Sequence, residues 1–317
     1  MLAGVLFALS AGLMWGLIFI GPLLVPDYPG ALQSVGRYVA FGLIALPLAW
    51  QDRRRLRQLS RDDWKEALKL ALVGNLLYYT FLASAIQRTG APVSSMIIGT
   101  LPVVISVSAN LFYGHHEGKL PWRRLVPVLL LIALGLGCVN FAEWQGGAQH
   151  GARYLSGIGL AVMAMLCWTW YPLRNARWLR EHPQKSAATW ATAQGIATLP
   201  LALAGYLLVS IQLHFTRSDF PLPFGPHPGL FIALMVAIGL FCSWLGALCW
   251  NEASQRLPTV LVGPLIVFET LAALAYTFLL RQSWPSAIVV YGVLALVAGV
   301  IMATRIKPEP PEKKALI

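Results

Sequence analysis

Long apolar runs of Leu, Val, Ala, Ile and Phe recur along this chain, separated by short clusters of Arg, Lys, Asp, Gly and Pro. Ten of the runs reach or approach the roughly 20 residues that a helix needs to span a bilayer. They fall near 2–24, 31–50, 67–87, 93–113, 124–142, 155–174, 187–209, 229–250, 259–280 and 286–303. They lack the lipid-out, lumen-in alternation of barrel strands. Helix is therefore the expected conformation, because it satisfies every backbone hydrogen bond within its own segment.

The pattern occurs twice. Ala85-Ile86-Gln87-Arg88 returns as Ala253-Ser254-Gln255-Arg256, 168 positions later. A shift of 153 carries Gly4, Ala8, Ala11, Leu13 and Trp15 onto Gly157, Ala161, Ala164, Leu166 and Trp168. A shift of 162 carries Trp122, Ala133, Leu134 and Gly137 onto Trp284, Ala295, Leu296 and Gly299. Each copy holds five runs, an odd number, so the second copy is expected to enter the membrane from the opposite side. The expected fold class is an all-α integral membrane protein of ten transmembrane helices, built as two inverted five-helix repeats. The first copy covers 1–143, the second 153–304, and a basic cytoplasmic tail occupies 305–317. Inverted repeats of this kind mark secondary transporters, which bind substrate near the midplane between the halves. The helix after each Ala-x-Gln-Arg reaches mid-membrane at Leu101-Pro102 in one copy and at Glu269-Thr270 in the other.

Composition agrees: 57% hydrophobic, 12% charged, with a mean hydropathy of +0.64. The formal charge of +11 would suit a nucleic-acid partner, but its distribution argues against one. Of the 24 basic residues, 18 lie in the even-numbered connections and the tail, from Arg53-Arg54-Arg55 to Lys313-Lys314. The odd-numbered connections hold Arg88, Arg153, Arg217 and Arg281. This bias places both termini in the cytoplasm of a multi-pass protein of the bacterial inner membrane. The first run lacks a basic leader and is expected to remain as a helix rather than be cleaved. Cys138, Cys167, Cys242 and Cys249 fall inside predicted helices and are expected to be reduced. The six histidines, His115-His116 among them, are read as loop residues with no ligand cluster at zinc spacing. No metal or cofactor is expected.

Ionisable groups inside a membrane are costly, so those that remain are informative. Glu269 lies about ten residues into the ninth run. It is either a cavity-facing group that binds substrate or carries a proton, or a buried carboxyl tying two helices. Arg37 sits inside the second run, either drawing a carboxylate into an outward vestibule or snorkelling to headgroups. Trp15, Asn75, Tyr78, Tyr79, Trp168, Tyr171 and Trp244 also fall at mid-helix depth, whereas Trp and Tyr normally favour the interfaces. They form an aromatic-lined pocket or ordinary interhelical packing. Gly99 and Pro102 in helix four, and Gly263 and Pro264 in helix nine, are read as kinks and candidate gating hinges. The Pro-rich connection 210–228 is read as a stiff outer linker or a lid.

Taken in order, Trp15-Gly16, Arg37-Tyr38, Leu101-Pro102, Phe268-Glu269-Thr270 and the closing glycines at Gly135, Gly137 and Gly299 resemble the drug/metabolite transporter superfamily. The resemblance is to its EamA-type members and covers about residues 3–303. Within them it is most similar to YddG-type exporters of aromatic and other hydrophobic amino acids. Thr270 stands where that family often has proline, and Gly114-His115-His116-Glu117 replaces a tighter Gly-Glu ending. The resemblance implies a monomeric secondary transporter whose partners are a small-molecule substrate and membrane lipids. It would export amphipathic metabolites, aromatic or hydrophobic amino acids foremost. Multidrug efflux and lipid or nucleotide-sugar translocation are the alternatives, and with Arg37 alone in the helices a nucleotide cargo is disfavoured. A membrane enzyme would need clustered acids, a metal set or a nucleophile with its base, and none of these motifs is present in the helices.

Overall fold

The computed structural model describes residues 2–19, 24–89, 97–112, 120–143, 151–217, 219–258, 261–282 and 284–306. Among them all regular structure is helical. Helix α1 spans Leu2–Gly16 and tightens into a 3-10 turn at Leu17–Phe19. Helix α2 is Gly30–Gln51. Helix α3 is one continuous run of Arg61–Leu70, a π-wound segment Ala71–Leu77, and Tyr78–Thr89. Then follow α4 (Leu101–Phe112), α5 (Trp122–Glu143), α6 (Ala152–Glu181) and α7 (Ala187–Thr216). Helix α8 repeats the winding of α3, as Pro228–Ile238, a π-wound Gly239–Leu245, and Gly246–Arg256. Helices α9 (Val262–Arg281) and α10 (Ala287–Arg305) complete the bundle. By length and composition five of these, α2, α6, α7, α8 and α10, are able to cross a membrane. Large apolar side chains such as Leu130, Leu207, Phe215 and Leu294 project from the bundle surface, as a lipid solvent requires.

Helix α3 starts at a capping box. Ser60 Oγ accepts from the Asp63 amide (3.1 Å) and Asp63 Oδ2 accepts from the Ser60 amide (2.7 Å). Pro102 and Pro264 lie in the first turns of α4 and α9, where a missing N–H removes no helical bond. They therefore do not kink continuous helices. The break in the fourth helix is at Thr100, whose amide donates to Ile97 O and whose carbonyl accepts from Val103 and Val104. Pro102 and Pro264 also stand 162 residues apart, as Trp122 and Trp284 do. The counterpart of Leu101-Pro102 is thus Gly263-Pro264, and Glu269 answers to Val107. Helix α7 runs to Thr216 and includes His214, so the outer connection is shorter than 210–228. His115-His116 and Gly114 lie outside the described residues.

Exchanging the two copies maps the principal packings onto one another. Helix α2 lies on α7 and α5 on α10, while α1 on α8 answers to α6 on α3. A Cβ on Gly42 would come within 2.6 Å of Leu199 Cβ, and one on its mate Gly195 within 2.6 Å of Ala45 Cβ. Glycine allows the α2–α7 crossing on both sides of its axis. Gly4 packs against Arg256 and Leu257, and its mate Gly157 against Arg88 and Thr89. The two π-wound segments are offset by 168, the spacing of the Ala-x-Gln-Arg motifs.

These contacts define two ends of the bundle. The near end gathers Gly4, Arg256, Lys185 and Asp63; the far end gathers Tyr28, Arg88, Ser156 and Phe224. At the far end the Pro-rich connection is anchored: Tyr28 OH donates to Phe224 O (2.9 Å) and accepts from the His227 amide (2.8 Å), and Tyr206 OH donates to Pro223 O (2.7 Å).

Candidate functional site

Midway along the bundle, α1, α3, α6 and α8 bring five aromatic rings into one array. Trp168 stacks on Tyr78 (centroids 4.8 Å) and on Tyr171 (5.2 Å), and meets Trp15 edge-on at 6.0 Å. Trp250, which the sequence reading passed over, extends it at 5.2 Å from Trp15. Trp15 Nε1 donates to Cys242 O (2.8 Å), a carbonyl inside the α8 π segment. A π turn displaces the regular i→i−4 bonding, which leaves backbone carbonyls for such side chains. Its symmetry mate Trp168 faces Tyr78 at the position where the other copy has Gly246, whose Cβ would sit 2.6 Å from Trp15 Nε1. Gly74 gives Tyr171 its place, since a Cβ there would lie 2.2 Å from the ring.

Two charged groups flank this array. Arg37 on α2 does not snorkel. Its Nε donates to Ser243 Oγ on α8 (2.9 Å), and its guanidinium lies over the Tyr38 ring at 4.9 Å. Its terminal nitrogens have no partner among the described residues, and they border a space of about 20 Å³, room for a water, shared with Gln33, Ser34 and Tyr79. Glu269 on α9 lies within the electrostatic reach of Arg37 and Tyr78. Among the described residues nothing hydrogen-bonds or ion-pairs with its carboxyl group. Gly12 and Gly16 on α1 let α9 approach here: Cβ atoms on them would lie 2.6 Å from Phe268 Cβ and 2.7 Å from Ala272 Cβ.

The remaining candidates are placed elsewhere. Asn75 Nδ2 donates to Thr198 Oγ1 on α7 (3.2 Å), and Trp244 Nε1 donates to Thr192 Oγ1 (3.1 Å). Tyr79 and Trp244 pack with Tyr38, Phe41 and Leu76 on the α2 side. Gly263 is a crossing residue, with a hypothetical Cβ only 2.2 Å from Ser106 Oγ on α4. Gly99 closes the short helical turn 97–99 ahead of Thr100.

Below the array lies a buried polar layer absent from the sequence reading. Asn175 Oδ1 accepts from Trp190 Nε1 (2.8 Å) and Gln194 Nε2 (3.0 Å), while its Nδ2 donates to Asn251 Oδ1 (2.8 Å). Tyr171 OH donates to Gln194 Oε1 (3.0 Å), joining this layer to the aromatic array. Nearer the end, two ion pairs and a hydrogen bond link the copies. Arg174 holds Glu66 through Nε (2.5 Å) and Nη2 (3.1 Å), Lys185 holds Asp63, and Thr189 Oγ1 donates to Asp52 (2.5 Å). Burial alone would raise the Asp63 carboxyl, but bonds from Lys185 and from the Ser60 amide and hydroxyl hold it below the usual carboxylate range. Lone Asn and Gln residues inside apolar helices were the available signal for the buried layer.

An all-helical bundle with a largely apolar exterior and a buried polar layer in its interior defines a polytopic membrane protein. The sequence matches the EamA-like transporter family over residues 2–141 and 155–305, and the chain belongs to that family. It is 62% identical over 313 residues to the inner membrane protein YtfF of Escherichia coli (strain K12), covering 98% of each chain. It is 26% identical over 137 residues to the uncharacterized transporter sll0355 of Synechocystis, covering 41% of this chain and 39% of that one. A crystal structure of a protein 17% identical in sequence superposes with a TM-score of 0.72, over 95% of this chain and 96% of the other, and so shares the fold. The chain is a multi-pass bacterial inner-membrane protein of a transporter family.

Proposed function

We propose that the chain is a secondary transporter that exports amphipathic amino acids, aromatic ones foremost, by rocking two inverted five-helix halves about a midplane site. In this reading the halves are 1–143 and 153–304, all ten helices span the membrane, and both termini and the 305–317 tail are cytoplasmic. The near end is then the cytoplasmic end. The family match in two stretches, the paired π segments and the reciprocal glycine crossings support the inverted repeat.

One observation carries the substrate class. A cation, Arg37, and a carboxyl group, Glu269, flank one aromatic array without a hydrogen bond to each other among the described residues. A zwitterion with an aromatic side chain complements that arrangement. Its carboxylate would meet the free fork of Arg37, its ammonium would meet Glu269, and its ring would join Tyr78 and Trp168. Trp250 Nε1, buried without a partner among the described residues, supplies a further donor beside the array. A metal or cofactor plays no part in this mechanism.

Counterflow of the twenty amino acids in proteoliposomes tests the reading. Phenylalanine, tyrosine and tryptophan are expected to exchange faster than alanine or aspartate. If no amino acid exchanges while hydrophobic cations do, the chain is a drug-efflux protein and the proposal is wrong.

A further inference from the structure

A second cavity lies beyond Arg37. It occupies about 310 Å³ and is walled by Ser34 of α2, Tyr79, Thr80 and Ser84 of α3, and Gln212 and Arg217 at the end of α7. That volume matches the lower range of small-ligand pockets. The cleft has a structural cause. The first half of α3, through its π segment, packs on α7, but beyond Tyr78 the two helices separate. From Leu76 to Ser84 on α3, and from Val209 to Arg217 on α7, it is about 12 Å deep at 1.5 Å per residue.

Its chemistry is one-sided. The side chains of Ser34, Tyr79, Thr80, Ser84 and Gln212 have no hydrogen-bond partner among the described residues, and neither does the guanidinium of Arg217. None of the lining residues is acidic. Ser34 and Tyr79 also border the small space at Arg37, so the two cavities adjoin. An arginine therefore stands at each end of a hydroxyl-lined passage whose other walls are Val35, Leu76, Val209 and Leu213. Polar groups converging on a cleft beside apolar walls are the lining of a small-ligand site.

We infer that this cleft is a second, outer binding station for a carboxylate-bearing amphipathic substrate, with Arg217 receiving the carboxylate that Arg37 releases. The inference rests on the amino-acid reading above for the identity of the cargo. The cleft itself is tested independently of it.

Thr80→Cys places a thiol in the cleft of the full chain in proteoliposomes, and the parent with its four native cysteines sets the background. The probes are a sulfonate and a trimethylammonium methanethiosulfonate of similar size. A unit positive charge about 8 Å away in water favours the anion over the cation about fivefold at low ionic strength. That preference is expected with Arg217 present and is expected to vanish on adding Arg217→Gln. Equal rates for the two probes, or a preference that survives Arg217→Gln, would overturn the site. So would a thiol that reacts with a lipid-soluble maleimide alone, which would mark the cleft as lipid-filled. In the second arm Ser84→Trp fills the cleft, and phenylalanine counterflow is expected to fall at least tenfold with the melting temperature retained. Exchange at the parental rate would overturn the station while leaving the amino-acid reading intact. A parent that exchanges no amino acid would overturn that reading, and the thiol rates would still decide the cleft.

Discussion

Replacing Glu66 with alanine is expected to unlock the near end of the bundle. Glu66 is buried on α3 and accepts two hydrogen bonds from Arg174 of α6, at 2.5 and 3.1 Å. Charge-assisted bonds contribute about 1.5–3 kcal/mol each when buried. The Arg174 side chain is 36% exposed, so solvent screening reduces the pair to about 2 kcal/mol in total. That corresponds to a factor of about 30 in the equilibrium between closed and open near ends. If the open form is about 1% of the parent population, within the usual span for a minor state, the variant holds about a quarter of its molecules open. Spin labels at Gln58 and Gln184, both exposed and on opposite copies, report the separation by pulsed dipolar spectroscopy in a cysteine-free background. A second, longer distance is expected in Glu66→Ala, and a smaller one in Glu66→Gln, which keeps one acceptor. A variant that folds, binds detergent like the parent and shows the parental distance distribution alone would refute the assignment of these ion pairs as a gate.

The neighbouring Asp63 gives a pH dependence of defined sign. Its carboxyl is held below the ordinary range when Lys185 is in place, so its contribution to closure is present above the unperturbed value of about 3.9 and is lost as pH falls through the depressed one. His182 Nε2 lies 3.9 Å away, and a charged imidazole there would oppose that loss. The same labels, read while the near-end compartment is acidified, are expected to separate below about pH 4, and an unchanged separation in Asp63→Asn would show that the carboxylate does not hold the end closed. Gly42→Leu drives a side chain into Leu199 at the α2–α7 crossing and is expected to cost about 1–3 kcal/mol, measured as a lower melting temperature in detergent. Glu269→Gln tests proton coupling: the parent rate is expected to depend on pH and the variant rate to be flat, and an unchanged rate and pH profile would exclude Glu269 as the proton carrier.

Hydropathy located the apolar runs because it averages over a span, and the duplication was visible because small residues at helix crossings tolerate little change. Arg37 and Glu269 stood out for the same reason that they are informative: a charge at that depth is costly. The ion pairs of Glu66 with Arg174 and Asp63 with Lys185 were hidden. Each partner lies in an ordinary charged connection, and only the fold brings residues more than a hundred positions apart into contact. Register was hidden as well. Pro102 and Pro264 read as kinks because a run of apolar residues does not reveal where a helix begins, and the α7 extension to Thr216 looked like loop because Gln212, His214 and Thr216 dilute its hydropathy. The π segments left no signal in period or composition.

The duplicated helices bear on how such a site arises. Trp15 and Trp168 occupy equivalent places, yet Trp15 is fixed by Cys242 O above Gly246, whereas Trp168 is sandwiched by Tyr78 and Tyr171. The first is a packing element with its indole N–H satisfied. The second is held by stacked rings, and its stacking partner Tyr78 stands where symmetry would have put glycine. Across the bundle Glu269 stands where symmetry would have put the methyl groups of Val107. Both departures, like Arg37, whose equivalent is Trp190, fall within electrostatic reach of one another. Crossing residues that repeat, such as Gly42 with Gly195 and Gly4 with Gly157, hold the frame on which these groups are mounted. On the proposed reading, a substrate without internal symmetry is met by the groups that one copy has and the other lacks.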